Sequence, residues 1–151
     1  MLEIYVDADG CPVKDEVYRV AGRYGVTVWV VANAWLRVPD DPRVHRVTVT
    51  EGLDRADDWI AERLGPGDIA ITADVPLAAR CVQRGARAIA PDGRRFDESS
   101  IGAALAERNL MTALREAGEI RGGGRPFTKQ DRARFLNALD AAIQAIRRTG
   151  R

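Results

Sequence analysis

Aspartates recur in this 151-residue chain where strands are predicted to end and helices to begin. They are Asp7 and Asp9 in LEIYVDAD, Asp54, Asp57 and Asp58 in GLDRADDWI, and Asp74 in IAITADVP. Carboxylates are hard oxygen ligands, and several of them completed by water suit Mg²⁺ or Mn²⁺. Two such ions about 4 Å apart are the usual apparatus for in-line attack of water on a phosphodiester. Asp54 and Asp58 are one helical turn apart with Asp57 beside them, so their charges repel by roughly a few tenths of a kcal/mol per pair, a cost that a divalent cation removes. Aspartate at a helix start also caps free N–H groups, and Asp9, Asp54 and Asp74 each fit that simpler role. The grouping favours a metal site, because Ser, Thr or Asn would cap as well and none of these three positions has one. Asp7, Asp54, Asp58 and Asp74 are therefore expected in one cleft as catalytic groups and ligands, with Asp9 and Asp57 as further ligands at its border.

The elements that must position these acids are legible in outline. Residues 2–9 alternate apolar and other residues before turning acidic, as a strand does on leaving a sheet. Pro12 suits the first turn of a helix reaching about Gly22. The β-branched run VTVWVVA at 26–32 reads as a strand buried on both faces, and 44–50 repeats the pattern more weakly. A helix over about 54–64, a strand at 69–72, a helix through Arg84 and a fifth strand at 86–90 follow, with glycines at the connections. Alternating strand and helix argues for a doubly wound parallel α/β sheet of about five strands, in which side chains at the carboxyl ends converge on one edge where ligands bind. After Pro91 the chain turns helical and arginine-rich: about 99–117, then RGGGRP at 121–126, then a helix over 128–148 opened by a Thr128/Asp131 capping box. Residues 93–151 are expected to pack on the sheet as part of one domain spanning 1–151.

The composition, 46% apolar and 30% charged, is that of an ordinary globular domain. No apolar run of eighteen residues occurs, and the amino terminus runs straight into a strand, so the expectation is a cytoplasmic protein with no membrane partner. Cys11 and Cys81 lack zinc-type spacing, and the single His45 leaves no His/Cys cluster, which fits reduced thiols. Cys11 reads as a small packing residue. Net charge is +1, yet residues 1–92 hold 15 acidic and 11 basic side chains while 93–151 hold 7 and 12. The basic half could draw a polyanion to the acidic one. Lys14 and Asn33 fit substrate contacts at the edge, although a solvated lysine and a turn asparagine explain them as well. Arg108 and Arg115, seven apart on one helix, share a face able to grip a phosphate backbone, with pairing to Glu107 or Glu116 as the plain alternative. Arg121, Arg125, Lys129 and Arg132 could extend that groove. Of three tryptophans, Trp29 and Trp59 read as core or rim, and only Trp35 as a stacking platform.

The stretches VDADGCPVK at 6–14, VTEGLDRADDWI at 49–60, GDIAITADVPLA at 67–78 and FTKQDRARFLNALD at 127–140 resemble the YaiI/YqxD family of small bacterial proteins over nearly the whole chain. That family is similar in layout to PIN-like and NYN nuclease domains. The resemblance implies a Rossmann-like three-layer α/β/α fold and a Mg²⁺- or Mn²⁺-dependent ribonuclease acting on single-stranded RNA. It assigns Asp7 to the acid after the first strand, Asp54 and Asp58 with Asp57 to the acidic helix, and Asp74 to the acid ending the fourth strand. Asp9, the Cys11-Pro12 pair and the arginine-rich tail depart from that nuclease pattern. Two other readings stand beside it. One is a catalytically silent RNA-binding or regulatory domain. The other is a haloacid-dehalogenase-type phosphatase using DADG at 7–10, for which Lys14 and Lys129 are the only lysines.

Overall fold

A computed structural model describes residues 1–50, 55–120 and 126–151. Six strands form one sheet: β1 (Glu3–Asp7), β2 (Thr27–Ala32), β3 (Val44–Thr48), β4 (Ile69–Ile71), β5 (Arg87–Ile89) and β6 (Arg95–Phe96). Five helices accompany them: α1 (Lys14–Tyr24), α2 (Arg55–Arg63), α3 (Val75–Gln83), α4 (Ile101–Glu116) and α5 (Lys129–Thr149). The sheet order is β3-β2-β1-β4-β5-β6, parallel throughout except for β6, which runs antiparallel to β5.

The side-chain alternation of the strands builds two different faces. Ile4 and Val6 of β1, Val28 and Val30 of β2, and Ile69 and Ile71 of β4 all point into one core layer. Val17 and Val20 of α1 and Phe135, Leu139 and Ile143 of α5 cover that layer. On the opposite face β4 and β5 present only Ala70 and Ala88, and α2 and α3 close over them with Ile60, Leu77, Ala78 and Cys81. Small residues on a sheet let helices approach closely, so α3 is held tight against the strands whose ends carry the acids. The crossovers from β1 to β2, β3 to β4 and β4 to β5 each carry a helix that covers the apolar strands, while β2 reaches β3 through a loop. With α5 these helices make the outer two of three layers.

Several boundaries differ from the sequence expectation. The first helix begins at Lys14, because residues 10–13 form a turn ahead of it, and it runs past Gly22 to Gly25, whose left-handed φ of 68° ends it. The fifth strand is followed by an unexpected sixth. Asp92-Gly93 closes a hairpin in which the Ala90 N–H donates to the Arg94 carbonyl at 2.8 Å, bringing Phe96 into the core. The Thr128/Asp131 capping box is present at the start of α5. Helix α5 is a full layer of the core, drawn onto the sheet face by its apolar stripe, and only its first turn reaches the edge.

Gly93 has φ of +92°, and a Cβ there would lie 2.7 Å from the backbone carbon of Arg134, so the hairpin seats directly on α5. Gly93→Ala is expected to lower the unfolding free energy by at least about 1 kcal/mol. Gly102→Ala, in open space on α4, should be neutral or stabilise by up to about 1 kcal/mol. Urea melts of both variants check this, and an unchanged midpoint for Gly93→Ala would mean that the hairpin does not rest on the helix.

Candidate active site at the carboxyl edge

The strand order reverses between β1 and β4: β1 is followed by a helix on one face and β4 by a helix on the other. In open α/β sheets the crevice at such a switch point is where ligands bind. Val6 pairs with Ile71, which sets Asp7 beside Thr72 one residue on. The Thr72 hydroxyl donates to Asp7 Oδ2 at 2.8 Å and accepts from the Asp74 N–H at 2.9 Å. Thr72 is 1% exposed, so both bonds form out of water and one hydroxyl ties the two acidic residues together.

Asp74 is the N-cap of α3, its Oδ1 accepting from the Leu77 N–H at 3.3 Å, while Pro76 has no N–H to offer. Its Oδ2 makes no hydrogen bond among the described residues. Burial pushes the Asp7 carboxyl above its ordinary value, with the negative charges of Asp74 and Asp9 adding to the effect and the Thr72 bond opposing it. Asp9 lies on the other side of β1, where its Oδ2 accepts from the Asn33 N–H at 2.9 Å and ties the loop to the end of β2.

Asp57, Asp58, Asp74, Leu77, Arg80 and Arg108 line a cleft of about 400 Å³ between α2, α3 and α4. Three of the predicted acids thus meet one of the predicted arginines, with Asp7 joined to them through Thr72 but not part of the cleft wall. Arg80 donates to Asp58 at 2.8 Å, and since both side chains are about half exposed the pair contributes about 1 kcal/mol at most. Asp54 lies outside the described residues, as do Arg121 and Arg125.

The other described residues singled out in the sequence lie outside that cleft. Lys14 turns back on the loop, its Nζ donating to the Cys11 carbonyl at 2.9 Å and the Ala8 carbonyl at 3.4 Å, so it braces the DADG turn. Arg115 is exposed about 10 Å further along α4 than Arg108. Arg132 donates to Glu16 and to the Pro12 carbonyl. Trp35 is 62% exposed with the Arg46 guanidinium 4.8 Å from its ring, whereas Trp29 and Trp59 pack together with Tyr5. Burial pushes the Cys11 thiol up and the Cys81 thiol up to about 12, which suits packing and not nucleophilic work. Thr72 and Arg80 were not singled out in the sequence. The signal for Thr72 was a hydroxyl ending an otherwise apolar strand.

Among the described residues no three His, Cys, Asp or Glu side chains are grouped closely enough to hold a metal ion. Asp7 and Asp74 with the Thr72 hydroxyl form a smaller set of hard oxygen donors. That chemistry fits an ion which takes one or two carboxylates and keeps water or phosphate for its remaining positions, as Mg²⁺ does.

The raised pKa of Asp7 has a thermodynamic sign. A carboxyl that binds its proton more tightly when folded contributes stability that is full below its ordinary value of 3.8 and lost as pH rises through the raised value. Asp7→Asn is therefore expected to melt higher than the parent near neutral pH, with the advantage shrinking on acidification and gone below about pH 4. Thermal melts from pH 3 to 8 without divalent ions check it. A parent protein that is the more stable at neutral pH would show that Asp7 is held as a favourable charge.

No helix among the described residues is long and apolar enough to cross a membrane. No solved structure matches this chain significantly. A UPF0178 protein of Rhodopseudomonas palustris (strain BisB18) is 60% identical over 148 residues, covering 98% of this chain and 96% of the relative. Another, from Nitrobacter winogradskyi, is 60% identical over 147 residues, covering 97% of this chain and 94% of the relative. The family described as "Uncharacterized BCR, YaiI/YqxD" matches residues 5–145. With the match spanning the sheet, the acidic edge and most of α5, the chain belongs to the YaiI/YqxD family.

Proposed function

We propose that the carboxyl edge of the sheet hydrolyses phosphodiester bonds in single-stranded RNA with Mg²⁺ or Mn²⁺. The observation that carries this reading is the coupling of Asp7 and Asp74 through Thr72 at the switch point, beside a cleft that sets further carboxylates against Arg80 and Arg108. Thr72 fixes Asp7 Oδ2, leaving Oδ1 to take a ligand or a proton. Asp74 Oδ1 is spent on the helix cap, leaving Oδ2 for the same purpose. Asp7 and Asp74 are the residues that would hold an ion, with Asp57 and Asp58 in the cleft beside Asp74. When bound, the ion supplies charge neutralisation at the phosphate and a lowered pKa for water. Arg108, brought to the cleft by α4, gives a polyanion a positive contact beside an acidic centre that would otherwise repel it.

The silent RNA-binding reading draws on a specific observation too. Asp74 already caps α3 and Asp58 already pairs with Arg80, so both have structural employment. The phosphatase reading gains nothing from Lys14, which is committed to loop carbonyls.

The purified protein is expected to cleave single-stranded RNA in Mn²⁺ and to stop in EDTA. Asp74→Asn should lose turnover and metal binding but keep its fold, because Asn caps a helix about as well as Asp. Cleavage that persists in EDTA or in the Asn variant overturns the reading, and metal-independent RNA binding without cleavage favours the silent domain.

In the Asp74→Asn background, Arg108→Ala is expected to weaken RNA binding and to lower the slope of log affinity against log salt by about 0.7 for one lost phosphate contact. Arg115→Ala should change the slope less. A salt series of binding isotherms measures both, and an unchanged slope for Arg108→Ala removes that arginine from the RNA path.

A further inference from the structure

A second cavity of about 400 Å³ opens on the same edge, at the carboxyl ends of β1, β4 and β5. Ala73 and Val75, the two neighbours of Asp74, form part of its wall, and Phe96, Phe127, Asp92 and Arg94 form the remainder that matters here. The volume lies within the range of small-molecule sites, and a mostly apolar lining with a few polar groups is their usual character.

The aromatic walls are held in place. Phe96 is buried with the Arg94 guanidinium 5.2 Å from its ring centroid, and Phe127 is 36% exposed with the Arg132 guanidinium 5.0 Å from its own. Arg132 is in turn fixed by Glu16 at 2.9 Å, so the Phe127 ring stands at the mouth with a braced backing. The tight seating of Gly93 on α5 keeps the hairpin that carries Asp92 and Arg94 against the element that follows Phe127. Such a cavity suits a flat ring, which stacks at little entropic cost.

The polar groups narrow the choice. Asp92 Oδ1 accepts from the Arg94 N–H at 3.0 Å, and Oδ2 makes no hydrogen bond among the described residues. Arg94 lies 3.7 Å from Glu107, which partly neutralises it. The wall, which also includes the buried Asp131, therefore sets two carboxylates beside Arg94 and offers a neutral ring an acceptor in Asp92 Oδ2. Adenine, cytosine and guanine each carry an exocyclic amino donor, whereas uracil has only its N3–H, flanked by two carbonyl oxygens that a carboxylate repels.

We propose that this cavity binds an amino-bearing nucleobase of a single strand, with the phosphate of that nucleotide directed to Asp7 and Asp74. The inference rests on the nuclease reading for its ligand class and adds base selectivity to it. Contiguity supplies the link, since the residues on both sides of Asp74 belong to the cavity wall.

The test is calorimetric titration of the full chain with AMP, CMP, UMP and inorganic phosphate in Mg²⁺, so that the charges of Asp7 and Asp74 do not by themselves exclude the nucleotide phosphate. AMP and CMP are expected to bind about tenfold or more tightly than UMP, and phosphate alone not to bind over the same range. Phe127→Ala should weaken AMP about tenfold. Asp92→Asn, which keeps an acceptor for the Arg94 N–H, should narrow the ratio of AMP to UMP affinity. Equal binding of AMP and phosphate, no nucleotide binding at all, or an unaffected Phe127→Ala overturns the cavity assignment. RNA cleavage in Mn²⁺ run beside these titrations separates the two claims. Cleavage with no effect of Phe127→Ala on AMP binding sinks the cavity and leaves the nuclease, while selective AMP binding without cleavage does the reverse.

Discussion

The Thr72 hydroxyl is the joint on which the acidic edge depends. It has one proton to give and gives it to Asp7, and it receives the Asp74 N–H, so the end of β1 and the start of α3 share one buried atom. Two neighbouring strands whose helices leave to opposite faces open a crevice at this point, and an acid emerging there is partly stripped of water. Asp7 bears that cost, as its raised pKa records. Folding energy is spent to keep a carboxylate half-buried among like charges, an arrangement found at functional sites and in structural networks alike.

The asymmetry of the two sheet faces follows from the same requirement. Large apolar side chains fill the layer under α1 and α5, where Phe135 and Leu139 anchor a long helix. Alanines on β4 and β5 draw α2 and α3 close on the other face, so the acids opening those helices stand near one another. A bulkier residue at Ala70 or Ala88 would push α3 outward and carry Asp74 away from Thr72.

Much of this was legible in the sequence because it is local. Strand-end aspartates, the β-branched run of β2 and the Thr128/Asp131 box each announce themselves within a few residues, and the α/β layout follows from their alternation. What escaped is long-range or too short to show a period. β6 has two residues, and its only local sign was the Asp92-Gly93 turn. The role of Thr72 requires knowing that β4 lies beside β1, sixty-five residues away in the chain. Lys14 read as a phosphate contact by its charge, yet its position one turn past a tight loop gives it carbonyls within reach. Arg108 and Arg115 share a helix face, but α3 meets that face at Arg108 and not two turns later.

The charge of the tail is the point at which composition misleads most, and the structure divides it. Arg132 is paired with the buried Glu16, Arg134 with the buried Asp131, and Arg94 lies near Glu107. Arg147 donates to the Tyr24 carbonyl and fastens the end of α5 to α1. These cations help hold α5 and the hairpin in place, and truncating Arg132 or Arg134 would take a partner from a desolvated carboxylate. Part of the positive excess of the second half is thus internal adhesive, while Arg108, on a helix packed beside α3, lines the cleft with Asp74. Net charge set the expectation of a polyanion, but Arg94, Arg132, Arg134 and Arg147 are each committed to a partner within the fold.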